Sequence, residues 1–233
     1  EAKAAPELVS AAWEKLGGGQ ADIYYPDLFE GCWLVGSTLV SVDTPKGIEY
    51  TNDAEQIKQA LENELNRTLR YEQCFIRNSK NKLVADRSIN TKNITEAILG
   101  PRDDIRYTWN MDDPNVLKIR FKGLDIFTRV TRRFSSAGDD VASADATKTM
   151  ETSELFEQVF DKGVGRPKVK ASRLITKWKW RDPKDTPEGQ PTIIASQTLN
   201  NYVTPIDSDD TSFTNLSEPA SVFKYRMAFI KNN

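Results

Sequence analysis

Hydrophobic and polar residues alternate with a period of two over most of the chain, which is typical of β-strands that bury one face. The alternation is clearest near the C-terminus, where apolar residues occupy every second position: Phe223, Tyr225, Met227 and Phe229. The same pattern predicts further strands at residues 32–42, 69–76, 105–110, 116–121, 125–134, 169–180 and 192–203. We therefore expect at least eight strands.

Short turn sequences separate several of these predicted strands. Residues 78–81, 112–115 and 122–123 are rich in Asn, Asp, Pro and Gly and connect neighbouring strands. Connections this short join antiparallel neighbours, so the sequence predicts a mostly sequential meander that can close on itself. Residues 152–160 fit either a helix or a strand, and we favour a strand.

Three segments have helical periodicity instead. Residues 6–16 begin with a Pro and are followed by three Gly residues, which favours a short helix in an N-terminal arm. Asn52 and Glu55 have capping-box character and open a helix to about residue 65, whose apolar stripe should cover a barrel mouth or a sheet face. A weaker helical stretch covers about residues 93–99.

The domain organisation follows from length and from the absence of a linker pattern. A chain of 233 residues fits one large domain or two small ones. Residues 136–149 are small, polar and acidic, and residues 181–191 carry three prolines, so both are expected to be exposed loops. We expect a helical arm at residues 1–20 and a single β domain at residues 21–233.

Composition excludes several classes of function. Lys and Arg total 32 and Asp and Glu total 34, so no charge excess is present for a general nucleic-acid-binding surface. Histidine is absent, which excludes His-containing triads and His-ligated zinc. We expect no catalytic residues, no cofactor and no metal ion. The most apolar segment, residues 32–42, is too short for a membrane-spanning helix, so any membrane association should be peripheral.

Aromatic residues are the candidates for lining the inside of a barrel. Gly31 allows close backbone approach at the start of the first predicted strand, and Trp33 would plug one end. Aromatic walls with few polar groups also line pockets for apolar ligands, although ordinary core packing explains them equally well. The candidate ligand-lining residues are Trp33, Trp109, Trp178 and Phe223.

Basic residues interleave with apolar ones on several predicted strands. In antiparallel neighbours this pattern would gather positive charge on one outer wall, suited to an acidic protein surface or to anionic lipid headgroups. A solvated barrel exterior explains the same pattern. The candidate partner-binding residues are Arg129, Arg132, Arg133, Lys177 and Lys179.

The two cysteines, Cys32 and Cys74, both fall in predicted strands. They would form a disulfide in an oxidising compartment or remain buried thiols in a reducing one. The residues alone leave both alternatives open.

The opening of the β region resembles that of an uncharacterised family of cyanobacterial and plastid proteins. The matching positions are Tyr-Pro at residues 25–26, Phe-Glu-Gly-Cys-Trp at residues 29–33 and Ser-Thr-Leu at residues 37–39. Residues 75–90, with an Asp86-Arg87 pair, and residues 152–160 and 172–180 agree in the same order. The resemblance covers most of residues 22–230.

The resemblance implies a fold and a cellular location. The fold is a mainly β, lipocalin-like, antiparallel up-and-down barrel of about eight to ten strands with two or three short peripheral helices. The implied location is the chloroplast thylakoid lumen. A chain that begins at Glu1 fits a mature form whose targeting segment has been removed, and a disulfide would suit the more oxidising lumen.

Two functions remain open. The first is a non-catalytic accessory subunit or assembly factor bound to a photosynthetic membrane complex, a photosystem, with a filled barrel. The second is a soluble carrier whose barrel holds a pigment, quinone or lipid, which requires a cavity of at least about 300 Å³. We take the first as the expected function and the second as its alternative.

Overall fold

The computed structural model describes residues 22–51, 53–111, 113–136, 148–203 and 218–231, and its strands form one ten-stranded sheet. The predicted arm at residues 1–20 lies outside the described residues. The strands are β1 Gly31–Asp43, β2 Thr68–Arg77, β3 Leu83–Ala85, β4 Ile105–Asn110, β5 Asp113–Phe121, β6 Leu124–Ser135, β7 Thr149–Asp161, β8 Lys168–Trp180, β9 Ile193–Tyr202 and β10 Ser221–Lys231.

The first and last strands of the chain, β1 and β10, pair with each other within the sheet. Its spatial order is β3-β2-β1-β10-β9-β8-β7-β6-β5-β4, and all neighbours are antiparallel. Val35 of β1 lies opposite Phe229 of β10. The two edges of the sheet are β3 and β4, which follow one another in the chain. The predicted antiparallel, lipocalin-like β-barrel is confirmed.

Helix α2 lies at the seam between these two edges. It spans Arg87–Leu99, and Asp86 caps it by accepting a hydrogen bond from the Ile89 amide at 2.9 Å. Asn90 pairs with the backbone of Cys74, which donates to Asn90 Oδ1 at 2.7 Å and accepts from Asn90 Nδ2 at 3.0 Å. The side chain thus replaces strand-to-strand hydrogen bonds beyond the end of β3. The Asp86 cap explains why the helix begins earlier than the predicted residue 93.

Helix α1 covers one end of the barrel. It spans Ala54–Gln59 and continues as a π-helical turn, Ala60–Glu64. Its buried face belongs to a cluster of four side chains: Leu39, Ile57, Ala60 and Phe223. An ion pair of 2.7 Å between Asp53 and Lys170 ties its start to β8. The sequence prediction of a helix over a barrel mouth is confirmed.

The opposite part of the interior is packed with rings. We call this the aromatic cluster: Phe29, Trp33, Phe75, Trp178, Trp180 and Phe229. The Phe29 ring stands edge-on to three others in the cluster, with centroids 5.4 to 5.6 Å apart, an arrangement that the ring quadrupoles favour. Trp33 is fully buried and donates from Nε1 to the Phe29 carbonyl at 2.7 Å, so its polar atom is satisfied.

Two strand assignments complete the comparison with the sequence. Residues 152–160, ambiguous in sequence, lie within strand β7. Strand β3 has only three residues, too few for alternation to reveal it. Neither helix in the described part of the chain is long and apolar enough to cross a membrane.

Candidate functional site

A cavity of about 310 Å³ lies inside the barrel, bordering the aromatic cluster. We call it the barrel cavity. The Tyr25 and Trp178 rings, whose centroids are 5.7 Å apart, form part of its wall. Nine further lining residues carry an amide or an aliphatic hydroxyl group: Gln73, Asn90, Thr91, Asn115, Thr128, Thr152, Gln158, Thr176 and Gln197. The lining therefore combines apolar side chains with many groups that can form hydrogen bonds.

The polar residues that line the cavity occupy inward-facing positions of the strands. Along β8 the inward positions change from Thr176 to Trp178 and Trp180. Thr176 lies opposite Thr152 of β7 on one side and Gln197 of β9 on the other. Polar side chains therefore lie side by side on three neighbouring strands. The aromatic residues begin at the next inward-facing position of β8.

Amide and hydroxyl groups pair with each other around the cavity. Gln158 Nε2 donates to Thr128 Oγ1 at 3.1 Å, and Gln197 Nε2 donates to Thr176 Oγ1 at 3.2 Å. The Gln73 side chain has no hydrogen-bond partner among the described residues. Because each glutamine also has an acceptor oxygen and a second N–H, the lining can both donate to and accept from a bound molecule.

A buried set of charges, the ion-pair network, borders the cavity and consists of Asp22, Arg87, Arg133 and Glu154. Arg87 holds Glu154 with two parallel hydrogen bonds, Nη1 to Oε2 at 3.0 Å and Nη2 to Oε1 at 2.7 Å. Arg87 Nη2 also lies 2.7 Å from Asp22 Oδ1, and Arg133 Nε lies 2.6 Å from Glu154 Oε1. The four side chains are only 4% to 17% exposed. Two cations and two anions make the network neutral.

Arg133 corrects one prediction made from the sequence. It was expected on the outer basic wall with Arg129 and Arg132, but its guanidinium lies inside and donates to Glu154 and to the Pro114 carbonyl. The register between β6 and β7 shifts between Val130 and Arg132. This bulge inserts one residue, so the inward-facing parity changes and Arg133 enters the interior.

Glu154 is ionised at neutral pH. Burial alone would raise the pKa of Glu154, but Arg87 and Arg133 outweigh it and lower that pKa to about 2. Burial raises the pKa of Tyr71 to about 12 and that of Tyr25 above its ordinary value. Both tyrosines that line the cavity are therefore neutral, while Glu154 is an ionised partner of two arginines. That arrangement suits holding a geometry, not transferring a proton.

Two polar atoms of the network have no partner. Arg87 Nε and Asp22 Oδ2 are buried without a hydrogen bond in the described residues. Arg87 itself lines the cavity. An unsatisfied buried donor costs free energy, so a ligand or a water that accepts from Arg87 Nε would stabilise the site.

The predicted ligand-lining residues separate in the structure. Trp178 lines the barrel cavity. Trp33 lies within the aromatic cluster, and Phe223 packs beneath helix α1. Trp109 lies on edge strand β4, where its Nε1 is buried without a partner among the described residues. Sequence reasoning selected aromatic residues and missed the glutamines and threonines, although Thr176 shares the inward parity of Trp178.

The remaining predicted partner-binding residues lie on the outer face. Arg129, Arg132, Lys177 and Lys179 are all exposed. Lys177 lies 3.7 Å from Glu151, and Lys177 and Lys179 line a concave groove of about 920 Å³. The outer basic wall therefore lacks Arg133, and Glu151 partly neutralises the charge of Lys177.

The two cysteines are joined. Cys32 and Cys74 lie directly opposite each other on β1 and β2, with their Cα atoms 4.0 Å apart, and form a disulfide. The backbone of Cys74 also donates one hydrogen bond to the Asn90 side chain and accepts another from it. The bond therefore fixes β1 to the strand edge that helix α2 closes.

Comparison with protein families identifies one relationship. Residues 17–233 match the family described as a domain of unknown function, DUF6816. This match spans nearly the whole chain, so the protein belongs to that family. Searches of curated proteins and of solved structures find no match.

Proposed function

We propose that this protein is a non-catalytic carrier that binds one small uncharged molecule in its barrel cavity. The observation that carries the proposal is the cavity itself, about 310 Å³ of space with a hydrogen-bonding lining inside an otherwise packed barrel. Small barrels can fill their interior with side chains, and empty space in a core costs stability. A barrel that served only as a rigid body would gain by filling this space.

The charge balance of the lining defines the charge of the ligand. Arg87 and Glu154 are the charged residues that line the cavity, and the ion-pair network to which they belong is neutral. A charged ligand would bring an uncompensated charge into a buried site, which is strongly unfavourable. An uncharged molecule with several polar groups avoids that cost.

Size and chemistry narrow the ligand further. A volume of about 310 Å³ lies at the lower end of the range for ligand pockets, about 300 to 1,000 Å³. Long-chain lipids and large pigments exceed this volume, whereas a quinone ring fits within it. A quinone has two carbonyl acceptors, and Gln73 and Arg87 Nε offer unused donors. The Tyr25 and Trp178 rings supply an apolar wall.

The first experiment asks what the native protein contains. We would purify it from its source without denaturation, measure its mass by native mass spectrometry and identify any extracted molecule. The ligand-free protein would then be titrated with tetramethylbenzoquinone by calorimetry, with Trp178 fluorescence as a second readout. We expect saturable binding at one site per chain.

A matched pair of variants locates the binding. Gln73→Leu removes a cavity amide, and Gln190→Leu makes the same change at an exposed position. We expect Gln73→Leu to weaken binding about tenfold, the equivalent of one lost hydrogen bond of about 1.4 kcal/mol. Gln190→Leu should leave affinity unchanged. A purified protein with no bound molecule that also binds no uncharged probe would contradict the carrier function.

A second proposed function is an accessory subunit or assembly factor on a photosystem in the thylakoid lumen. The resemblance described above supports it, as does the exposed positive charge of Arg129, Arg132 and Lys179 on the outer face. The two functions are compatible, because the cavity and the outer face are separate surfaces.

Gentle solubilisation of the source membranes, native separation and mass spectrometry test this second function. Co-migration of the protein with a photosystem, lost when Arg129 and Lys179 are both changed to Gln, would support it. Migration only as a free protein of its own mass would contradict a stable subunit and leave the carrier function standing.

A further inference from the structure

A second concavity, separate from the barrel cavity, lies on the outer face of β6, β7 and β8. Its volume is about 320 Å³. The residues that line it are Arg132, Arg133, Phe134, Ser153, Leu155, Arg173 and Tyr202. The Arg133 guanidinium is engaged inside the barrel with Glu154, so the charges available to this concavity are those of Arg132 and Arg173.

The strand register brings these two arginines together. Arg132 of β6 lies opposite Leu155 of β7, and Leu155 lies opposite Arg173 of β8. Neighbouring strands are about 4.8 Å apart, which separates the two arginine Cα atoms by roughly 10 Å. Both side chains are exposed and long enough to converge on one bound group above Leu155.

Neither arginine is neutralised. Arg132 has no hydrogen bond or ion pair with the described residues, and Arg173 donates from Nε to the Ser153 hydroxyl at 2.9 Å. No carboxylate is among the described residues that line the concavity. Another arginine of the same sheet is paired, since Arg120 lies 2.7 Å from Asp125. Two guanidinium groups without a carboxylate partner among the described residues therefore border one concavity, and their charges repel each other until an anion binds.

We propose that this concavity binds a phosphate ester. A phosphate monoester carries a charge of about −1.5 to −2 at pH 7 and has three acceptor oxygens, so one group neutralises both Arg132 and Arg173. A carboxylate would neutralise only one of them. The Ser153 hydroxyl adds a polar contact, and Leu155 and the exposed ring of Phe134 offer apolar surface to the organic part of the ester. This inference does not depend on the carrier function.

The same chemistry has two sources, a soluble phosphate ester and a phospholipid headgroup. Phenyl phosphate is the soluble probe, because it joins a dianion to one ring. Vesicles of phosphatidylcholine with and without phosphatidic acid are the lipid probe. Binding of phenyl phosphate would be measured by calorimetry, and binding to vesicles by co-sedimentation, both with the full chain.

Three variants localise the binding. Arg132→Gln and Arg173→Gln each remove one charge from the concavity, and Arg106→Gln removes an exposed charge from strand β4 outside it. We expect each of the first two to weaken binding at least tenfold and the third to change it less than twofold. All three positions are exposed, so unchanged thermal melting should accompany these effects.

The outcomes separate clearly. Saturable binding of phenyl phosphate that Arg132→Gln and Arg173→Gln abolish would support the proposal with a soluble source. Binding only to vesicles with phosphatidic acid, abolished by the same variants, would support it with a lipid source. The proposal would be overturned if neither probe binds or if benzoate binds as tightly as phenyl phosphate. Equal weakening by Arg106→Gln, or tighter binding of a glutamate-rich peptide than of either phosphate probe, would also overturn it.

Discussion

The aromatic cluster and the barrel cavity share strands β2, β8 and β10 and yet differ in how their side chains fill space. Thr176 and Trp178 are consecutive inward-facing residues of β8. Trp178 belongs to both regions, because its ring lies about 5.5 Å from those of Phe29 and Phe229 and also borders the cavity of about 310 Å³, which Thr176 lines with a hydroxyl group. Strand geometry decides which side chains point inward, but it does not decide whether they fill the interior.

The difference indicates what each region does. Buried rings stabilise a fold through the large apolar area that they remove from water. A buried ion pair is weak evidence for stability, because desolvation offsets the attraction between its charges. The aromatic cluster therefore holds the barrel together, and this stability allows the neighbouring region to keep a cavity and the Arg87–Glu154 pair.

The largest expected loss follows from opening the aromatic cluster. Phe29 is fully buried and contacts the rings of Phe75, Trp178 and Trp180. We expect Phe29→Ala to lower the free energy of unfolding by about 3–5 kcal/mol, as found for buried Phe→Ala changes. Urea unfolding measures this value. A loss below about 1 kcal/mol would mean that the cluster is not the main source of stability.

The next effect concerns the ion-pair network. Glu154→Gln keeps the shape of the side chain but removes the carboxylate that Arg87 and Arg133 share, and Asp22 is the counter-ion of both arginines that stays in the described network. Removing one partner of a buried pair leaves an uncompensated charge, and we expect a loss of about 3 kcal/mol. Glu151→Gln on the same strand is the control, because Glu151 is exposed and should cost less than about 0.5 kcal/mol. Similar losses from both would contradict a buried network.

The same carboxylate predicts a pH dependence. The ordinary pKa of 4.5 falls to about 2 in the folded protein. A lowered pKa contributes stability above the unfolded value, and that stability is lost as the pH falls from about 5 to about 2. We expect wild type to lose roughly 2–3 kcal/mol more than Glu154→Gln over this range, at about 1.4 kcal/mol per pKa unit. Parallel acid-unfolding curves for the two proteins would contradict the assignment.

Sequence patterns foresaw the strands but not the site. Alternation located β8 and β10 because every second residue faces the interior along a regular strand. The alternation pattern placed Arg133 on the outer face of the barrel. A β-bulge changes which residues of the strand face inward, and it has no simple sequence pattern. The pairing of the Asn90 side chain with the Cys74 backbone could not be predicted either, because it depends on how helix α2 packs against strand β2. The sequence left open whether the barrel is filled or hollow, because composition does not reveal whether inward-facing glutamines and threonines fill their space.

A smaller loss of stability is expected at the boundary between the aromatic cluster and the barrel cavity. Trp178 Nε1 donates to Thr152 Oγ1 at 3.0 Å, and both residues are at most 4% exposed. Thr152→Val keeps the volume but leaves the indole N–H without its partner, so we expect a loss of about 1–3 kcal/mol. Urea unfolding measures it, and Trp178 fluorescence should shift as its hydrogen bond is lost. A neutral result would place water within reach of Trp178.

The smallest expected effect comes from the same substitution one strand away. Thr176 Oγ1 accepts from Gln197 Nε2 at 3.2 Å, and both residues line the cavity. In Thr176→Val the freed amide can bind water in the cavity, because Gln197 is only half-buried whereas Trp178 is 4% exposed. We expect a change within about 1 kcal/mol in urea unfolding, and weaker binding of tetramethylbenzoquinone. If Thr176→Val costs as much as Thr152→Val, the amide finds no water, and the space beside Thr176 is as dry as the aromatic cluster. A small loss of stability with a clear loss of affinity would instead show that Thr176 serves the ligand more than the fold.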